Sequence, residues 1–172
     1  MSSLTLMPLS ARQLQIPGAD RWFANPDDPA LSVMTDFREH SSITIAEGAT
    51  IDAALEHMKH TGVRCAFAVD EARRAVVGMI TAYDIMGEKP LRHLRAVPMR
   101  REDILVKDLM TPLADWQVAD LRHVESSTVA AVARLFETTR MTHIAIVESD
   151  PQHGQRLRGL LSAAKVKRLL SR

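Results

Sequence analysis

The chain contains the same succession of local patterns twice, and this duplication restricts its possible folds more than any other feature. The segment TIDAALEHMKHT (50–61) puts Ile51, Ala54, Leu55 and Met58 at i, i+3, i+4 and i+7, the apolar stripe of an amphipathic helix. A shift of 78 residues gives TVAAVARLFETT (128–139), with Val129, Val132, Ala133 and Phe136 at the same four places. Each segment opens on a threonine suited to cap a helix. GVRCAFAVD (62–70) then aligns with RMTHIAIVE (140–148), two short apolar runs that predict buried strands, with Gly62 ending its helix. A turn follows in each copy, EARR in the first and SDPQHGQR in the second. Next come a second strand, AVVGMIT (75–81) or RLRGLLS (156–162), and a helical segment, AYDIMG or AAKVKRLL. Each copy is led in by a Met-Thr pair, Met34-Thr35 and Met110-Thr111, and by a candidate strand, SITIA (42–46) or VADLRHV (118–124).

The order per copy is short helix, strand, helix, strand, strand, helix. Neither copy, 31–88 or 103–172, is large enough to hide its sheet faces alone. The two are therefore expected to pack as one pseudo-twofold α/β module of the α+β type, built from two β-α-β-β-α repeats. Between them, Pro90 and Pro98 interrupt any long helix, and Lys89 to Arg101 carries five Lys or Arg and no acid. Residues 89–102 thus read as a basic linker, and residues 1–30, with PG and NPDDP, as an N-terminal arm.

The bulk numbers narrow the class. The 172 residues are 46% apolar and 25% charged, as in soluble globular proteins, and a net charge of +1 gives no global field for nucleic acid or membrane. A single cysteine, Cys65, excludes an intramolecular disulfide and suits a reducing compartment. The first residues lack a basic n-region and no window approaches 18 apolar residues, so the expectation is a cytoplasmic protein without signal peptide or spanning helix.

The repeated Met-Thr, strand, amphipathic helix and strand pair, closed by GMITAYD (78–84), resembles the cystathionine-β-synthase (CBS) domain in tandem. The resemblance covers about residues 30–172, and GEKPLR followed by DILVKDLMTP is similar to small stand-alone bacterial CBS-pair proteins. It implies a three-stranded sheet with flanking helices in each copy, and two pseudo-twofold clefts where the copies meet. It also implies a homodimer that regulates rather than catalyses, requires no cofactor, and binds AMP, ADP, ATP or S-adenosylmethionine in a cleft. The chain departs from the family at Phe67 and Ala145, where proline is common, and at Lys165, where the first copy has Asp84.

Thr81 and Asp84 carry two readings. A threonine at an N-cap and a carboxylate three residues on are sufficiently explained by helix capping. A helix start also offers free N–H groups, and a carboxylate beside them accepts hydrogen bonds from a ribose diol. In the second copy Ser162 can still cap, but Lys165 opposes the helix dipole and accepts nothing, so this cleft is not expected to be an ordinary nucleoside site; it suits a polyphosphate tail or another anion. The resemblance adds Arg64 and His143 as phosphate contacts, Thr44 beside the ligand ring, and the backbone around Val63 and Ala66 as pocket wall. The alternatives are a solvated Arg64 and a satisfied, partly buried His143.

Other constellations are weaker. His57 and His60 lack a third metal ligand, Cys65 is read as a small buried thiol, and Arg156 to Arg172, with six basic residues and no acid, as a solvated helix face. No nucleophile–base pair points to an enzyme. Two functions stay in play: a ligand-sensing module, and a nucleotide-independent oligomerisation or docking module for a regulated enzyme or transporter.

Overall fold

The computed structural model describes residues 23–152 and 154–171; most of the arm, residues 1–22, lies outside them. In chain order the strands are β1 (Thr35–Asp36), β2 (Thr44–Ala46), β3 (Cys65–Asp70), β4 (Ala75–Thr81), β5 (Thr111–Pro112), β6 (Val118–Asp120), β7 (His143–Asp150) and β8 (Gly154–Ser162). The helices are α1 (Ile51–Thr61), α2 (Ala82–Met86), α3 (Lys89–Ala96), α4 (Val106–Leu109), α5 (Leu121–Glu125), α6 (Val129–Thr139) and α7 (Ala163–Leu170).

The duplicated helices form as their sequences dictate. Thr50 and Thr128 cap α1 and α6 by accepting from the N–H groups of Ala53 and Ala131. Their apolar stripes are buried: Ile51, Ala54 and Met58 in α1, and Val129, Val132 and Phe136 in α6. Both helices end on a left-handed residue, Gly62 at φ 71° and Arg140 at φ 56°. Pro90 sits in the first turn of α3, where its missing N–H costs nothing, so the linker opens with an eight-residue helix. The expected strand over 118–124 is cut short after Asp120, whose carboxylate accepts from the Arg122 N–H and starts α5.

Each sheet has four strands rather than three, in the orders β2-β3-β4-β5 and β1-β8-β7-β6. The fourth strand is borrowed. The Met-Thr lead-in of the first repeat crosses to the second, pairing Thr35 with Leu160, and that of the second crosses back, pairing Thr111 with Met79. The cores follow the same exchange. Ala24, Ala30, Val33 and Met34 pack with α6, β7 and α7, while Ile104, Val106 and Leu109 pack with α1, β3 and β4. Even the bridges correspond, Pro29 with Thr128 and Thr50 with Leu105.

This crossing explains the glycine shared by GMIT and GLLS. A Cβ on Gly78 would lie 2.5 Å from the Met110 sulfur and 2.9 Å from the Thr111 carbonyl oxygen. One on Gly159 would lie 2.7 Å from the Thr35 carbonyl oxygen. A strand glycine here marks close approach of another backbone. β1 is fastened further by Arg158, which is hydrogen-bonded to Asp36 and holds its carboxyl below the usual range, and by Arg38 on Glu148 at 3.0 Å. β5 is held by the Trp116 indole N–H, 3.0 Å from the Thr111 carbonyl.

Candidate functional site

Two clefts open where the repeats meet, and the exchange of lead-ins decides which residues share each. The first, about 500 Å³, is lined by Thr81 and Asp84 from the first repeat and by Arg140, Thr142 and His143 from the second. The second, also about 500 Å³, brings Val63 and Arg64 together with Ser162 and Lys165. His143 lines both. Arg64 therefore faces Lys165 across the second cleft. Thr44 is exposed and lines neither, and Ala66, 1% exposed, belongs to the core of the first repeat.

At the first cleft β4 runs directly into α2, and Thr81 caps it. The Thr81 hydroxyl accepts from the Asp84 N–H at 3.2 Å, while Asp84 Oδ2 accepts from both the Thr81 N–H and hydroxyl at 2.8 Å. Asp84 Oδ1 is 2.7 Å from the Lys89 ammonium, which also donates to the Leu109 carbonyl at 3.2 Å. The carboxylate thus lines the cleft with acceptor capacity left on Oδ1. Trp116, Met79 and Ala145 form a largely apolar wall, and Arg140 and Lys89 are cations on the rim.

At the second cleft the same helix start is built differently. The Ser162 side chain makes no capping hydrogen bond to α7. Lys165 Nζ instead donates to the Met34 carbonyl at 3.3 Å and the Thr35 hydroxyl at 3.4 Å, tying α7 to the crossing lead-in. Phe67 fills the place corresponding to Ala145. It packs edge-on against Phe37 at 5.6 Å and tilted against Trp116 at 5.7 Å, a bridge between the repeats.

His143 is 5% exposed, and burial pulls its pKa down to about 4, so it is neutral at pH 7. Asp84 opposes that shift and Arg64 adds to it, which fits a ring set between the clefts. Cys65, at the matching place in the first repeat, is buried and its thiol is pushed up to about 12. It is an unreactive thiol. No group of three metal-ligating side chains occurs among the described residues, His57 and His60 included.

Trp116, Arg140 and Lys89 were not singled out by their sequence. Arg140 had a signal: it stands where the first repeat has Gly62, at a helix end that favours glycine.

Comparison with known proteins agrees with this architecture. The family model described as the CBS domain matches residues 32–90. CBSX2 of Arabidopsis thaliana, solved in complex with AMP, is similar at 23% identity and a TM-score of 0.55, covering 82% of this chain and 94% of that one. An uncharacterized conserved protein from Pyrococcus horikoshii superposes with a TM-score of 0.58 at 20% identity, covering 87% and 96%. GMP reductase from Trypanosoma brucei, in complex with guanosine 5'-monophosphate, matches 80% of this chain over 25% of its own at 22% identity and a TM-score of 0.55. No curated protein matches the chain. Residues 32–90 thus match the CBS-domain family model, and the chain has the fold of a tandem CBS pair. Among the described residues no helix is long and apolar enough to cross a membrane.

Proposed function

We propose that the protein is a regulatory sensor that binds an adenosine nucleotide, AMP, ADP or ATP, in the cleft of Asp84. The observation that carries this reading is the Thr81–Asp84 capping box at the mouth of a cavity walled by Trp116 and rimmed by Arg140. A ribose diol donates to Asp84 Oδ1, the base lies against Trp116, and phosphate meets Arg140 and the Lys89 ammonium once the diol has replaced it. The similarity to CBSX2, solved with AMP, supports the ligand class. S-adenosylmethionine would offer the same diol but bring a cation toward Arg140 and Lys89, so it ranks below the phosphorylated ligands.

The sensor acts without chemistry of its own, as a cytoplasmic homodimer reporting to a partner enzyme or transporter. The exposed Tyr83 and Met86 of α2 and Leu91 of α3 support self-association through this side of the first repeat. The ligand signals only if it binds two arrangements of that dimer unequally.

Thermal unfolding with AMP, ADP, ATP and S-adenosylmethionine tests the reading. Ligand at about 100 times Kd adds roughly 2.7 kcal/mol of stability, and Asp84→Asn abolishes the gain. No gain with any of them, or an undiminished gain in Asp84→Asn, would leave the docking module as the better account. Sedimentation of wild type against Met86→Glu reads the dimer separately.

A further inference from the structure

We infer that a cavity on the outer side of the second repeat is the docking site of this chain's own N-terminal arm, residues 1–22. The space, about 660 Å³, lies between the turn Ala30–Val33 of the crossing lead-in, α5 and α7. It is separate from the Asp84 cleft and backs onto the Lys165 cleft, with which it shares Lys165 and Arg168. Its walls are part apolar, with Pro29, Leu31, Leu121 and Leu169, and part acidic, with Glu39 and Glu125. Leu31 is 40% exposed there.

The point where the arm joins the fold is fixed. Ala24 is buried in the core of the second repeat, and its N–H donates to the Leu169 carbonyl at 2.7 Å. Leu169 lines the cavity, so residues 1–22 are tethered at its edge. A space of this volume is roughly 10 Å across, which about four extended residues cross. The first repeat shows what the corresponding place takes. There α3 follows α2 and packs on both α2 and α4, leaving a recess of only about 390 Å³ beside Asp108 and Leu109. α3 has no counterpart among the described residues of the second repeat. The arm enters on that side, next to α7, the counterpart of α2.

The composition of the arm matches these walls. Leu4, Leu6, Met7, Leu9, Leu14 and Ile16 are apolar, and its charged side chains are Arg12, Asp20 and Arg21. Glu39 and Glu125 have no ion-pair partner among the described residues, and they suit Arg12. The other charges of the cavity are engaged, Arg158 with Asp36 and Lys165 with the Met34 carbonyl and Thr35 hydroxyl. Arg168 has no carboxylate partner among the described residues, and beside Leu169 it is placed for Asp20, four residues before Ala24. Exposed ion pairs add little on their own, so the apolar side chains hold the arm and the charges set its direction. A docked arm also lies behind Lys165 and Arg168, two walls of the second cleft.

Paramagnetic broadening of amide signals by a nitroxide placed through Ser10→Cys in the full chain tests it. Cys65 is buried and stays unlabelled. The amides of Leu31, Glu39, Glu125 and Leu169 are expected to broaden, and those of Thr81 and Asp84 are not. In a mixture of nitroxide-bearing protein with isotope-enriched protein that carries no nitroxide, the broadening should vanish, because each arm docks on its own chain. Arg12→Glu sets like charges against each other and Leu31→Asn removes apolar wall, so each should cut the broadening by about half or more. No broadening at the four amides, broadening that persists between molecules in the mixture, or broadening unmoved by both substitutions would each overturn the inference. None of these readings depends on whether Asp84 binds a nucleotide.

Discussion

Asp84 and Lys165 occupy corresponding places at the start of α2 and α7, and in both clefts an ammonium ties the helix region to the other repeat's lead-in. In the first, Lys89 reaches the Leu109 carbonyl and pairs with Asp84 on the way. In the second, Lys165 reaches the Met34 carbonyl itself. The cation at the crossing is common to both and the carboxylate is not. The junction can therefore be built without a carboxylate, and in the first repeat Asp84 adds a capping box that the second repeat lacks. This comparison separates what both copies keep at the crossing, a cation, from the carboxylate that only the first copy has and that the proposed sensor would use.

The largest expected effect concerns the wall that both clefts share. The folded pKa of His143 lies at about 4 against 6.5 unfolded, so between these values the unfolded chain binds the extra proton. Stability from this group is intact above pH 6.5 and falls as pH drops toward 4, by on the order of 3 kcal/mol. Denaturant unfolding across that range should show a shallower slope in His143→Gln than in wild type. Cys65→Ser, at the matching place, should leave the slope alone, because its thiol does not titrate there.

Next come the two crossing glycines. Gly159→Ala should cost about 1–3 kcal/mol, since the new methyl meets a backbone oxygen. Gly78→Ala should cost somewhat less, because its backbone obstacle, the Thr111 carbonyl oxygen, stands further off at 2.9 Å against 2.7 Å for Gly159, and its nearer obstacle is the movable end of Met110. Equal losses would show the two crossings to be equally rigid. A smaller effect distinguishes the helix starts: Thr81→Ala should remove about 1 kcal/mol and Ser162→Ala only a few tenths, as only the first side chain caps. Smallest is Arg140→Gly, expected to stabilise by up to about 1 kcal/mol by relieving a left-handed residue while weakening the response to AMP. A stabilised variant with full AMP response would remove Arg140 from the site.

Much of this was legible because it is local. The stripes and caps of α1 and α6, the strand pairs and the Thr81–Asp84 start all depend on residues within a few positions of one another. The exchange of lead-ins was not, because Met34-Thr35 has the same local pattern whichever sheet it joins. Gly78 and Gly159 carried a trace of it, being strand glycines with no turn to make. For the site, residue types were readable but their partners were not. Arg64 shares a cleft with Lys165, and Asp84 shares one with His143, only through the packing of one repeat on the other.

The crossing of β1 also sets an order of assembly. Thr35 and Asp36 pair with Leu160 and Gly159, so this early strand waits during synthesis until β8, 125 residues after Thr35 at Leu160, has been made. β5 has no such delay, since its partners in β4 are already made when Thr111 emerges. The first sheet can therefore close while translation continues, whereas the second closes only when the late strand and the early one meet. A premature stop before Gly159 would leave the first sheet complete, and Met34 and Thr35 without the strand they cross.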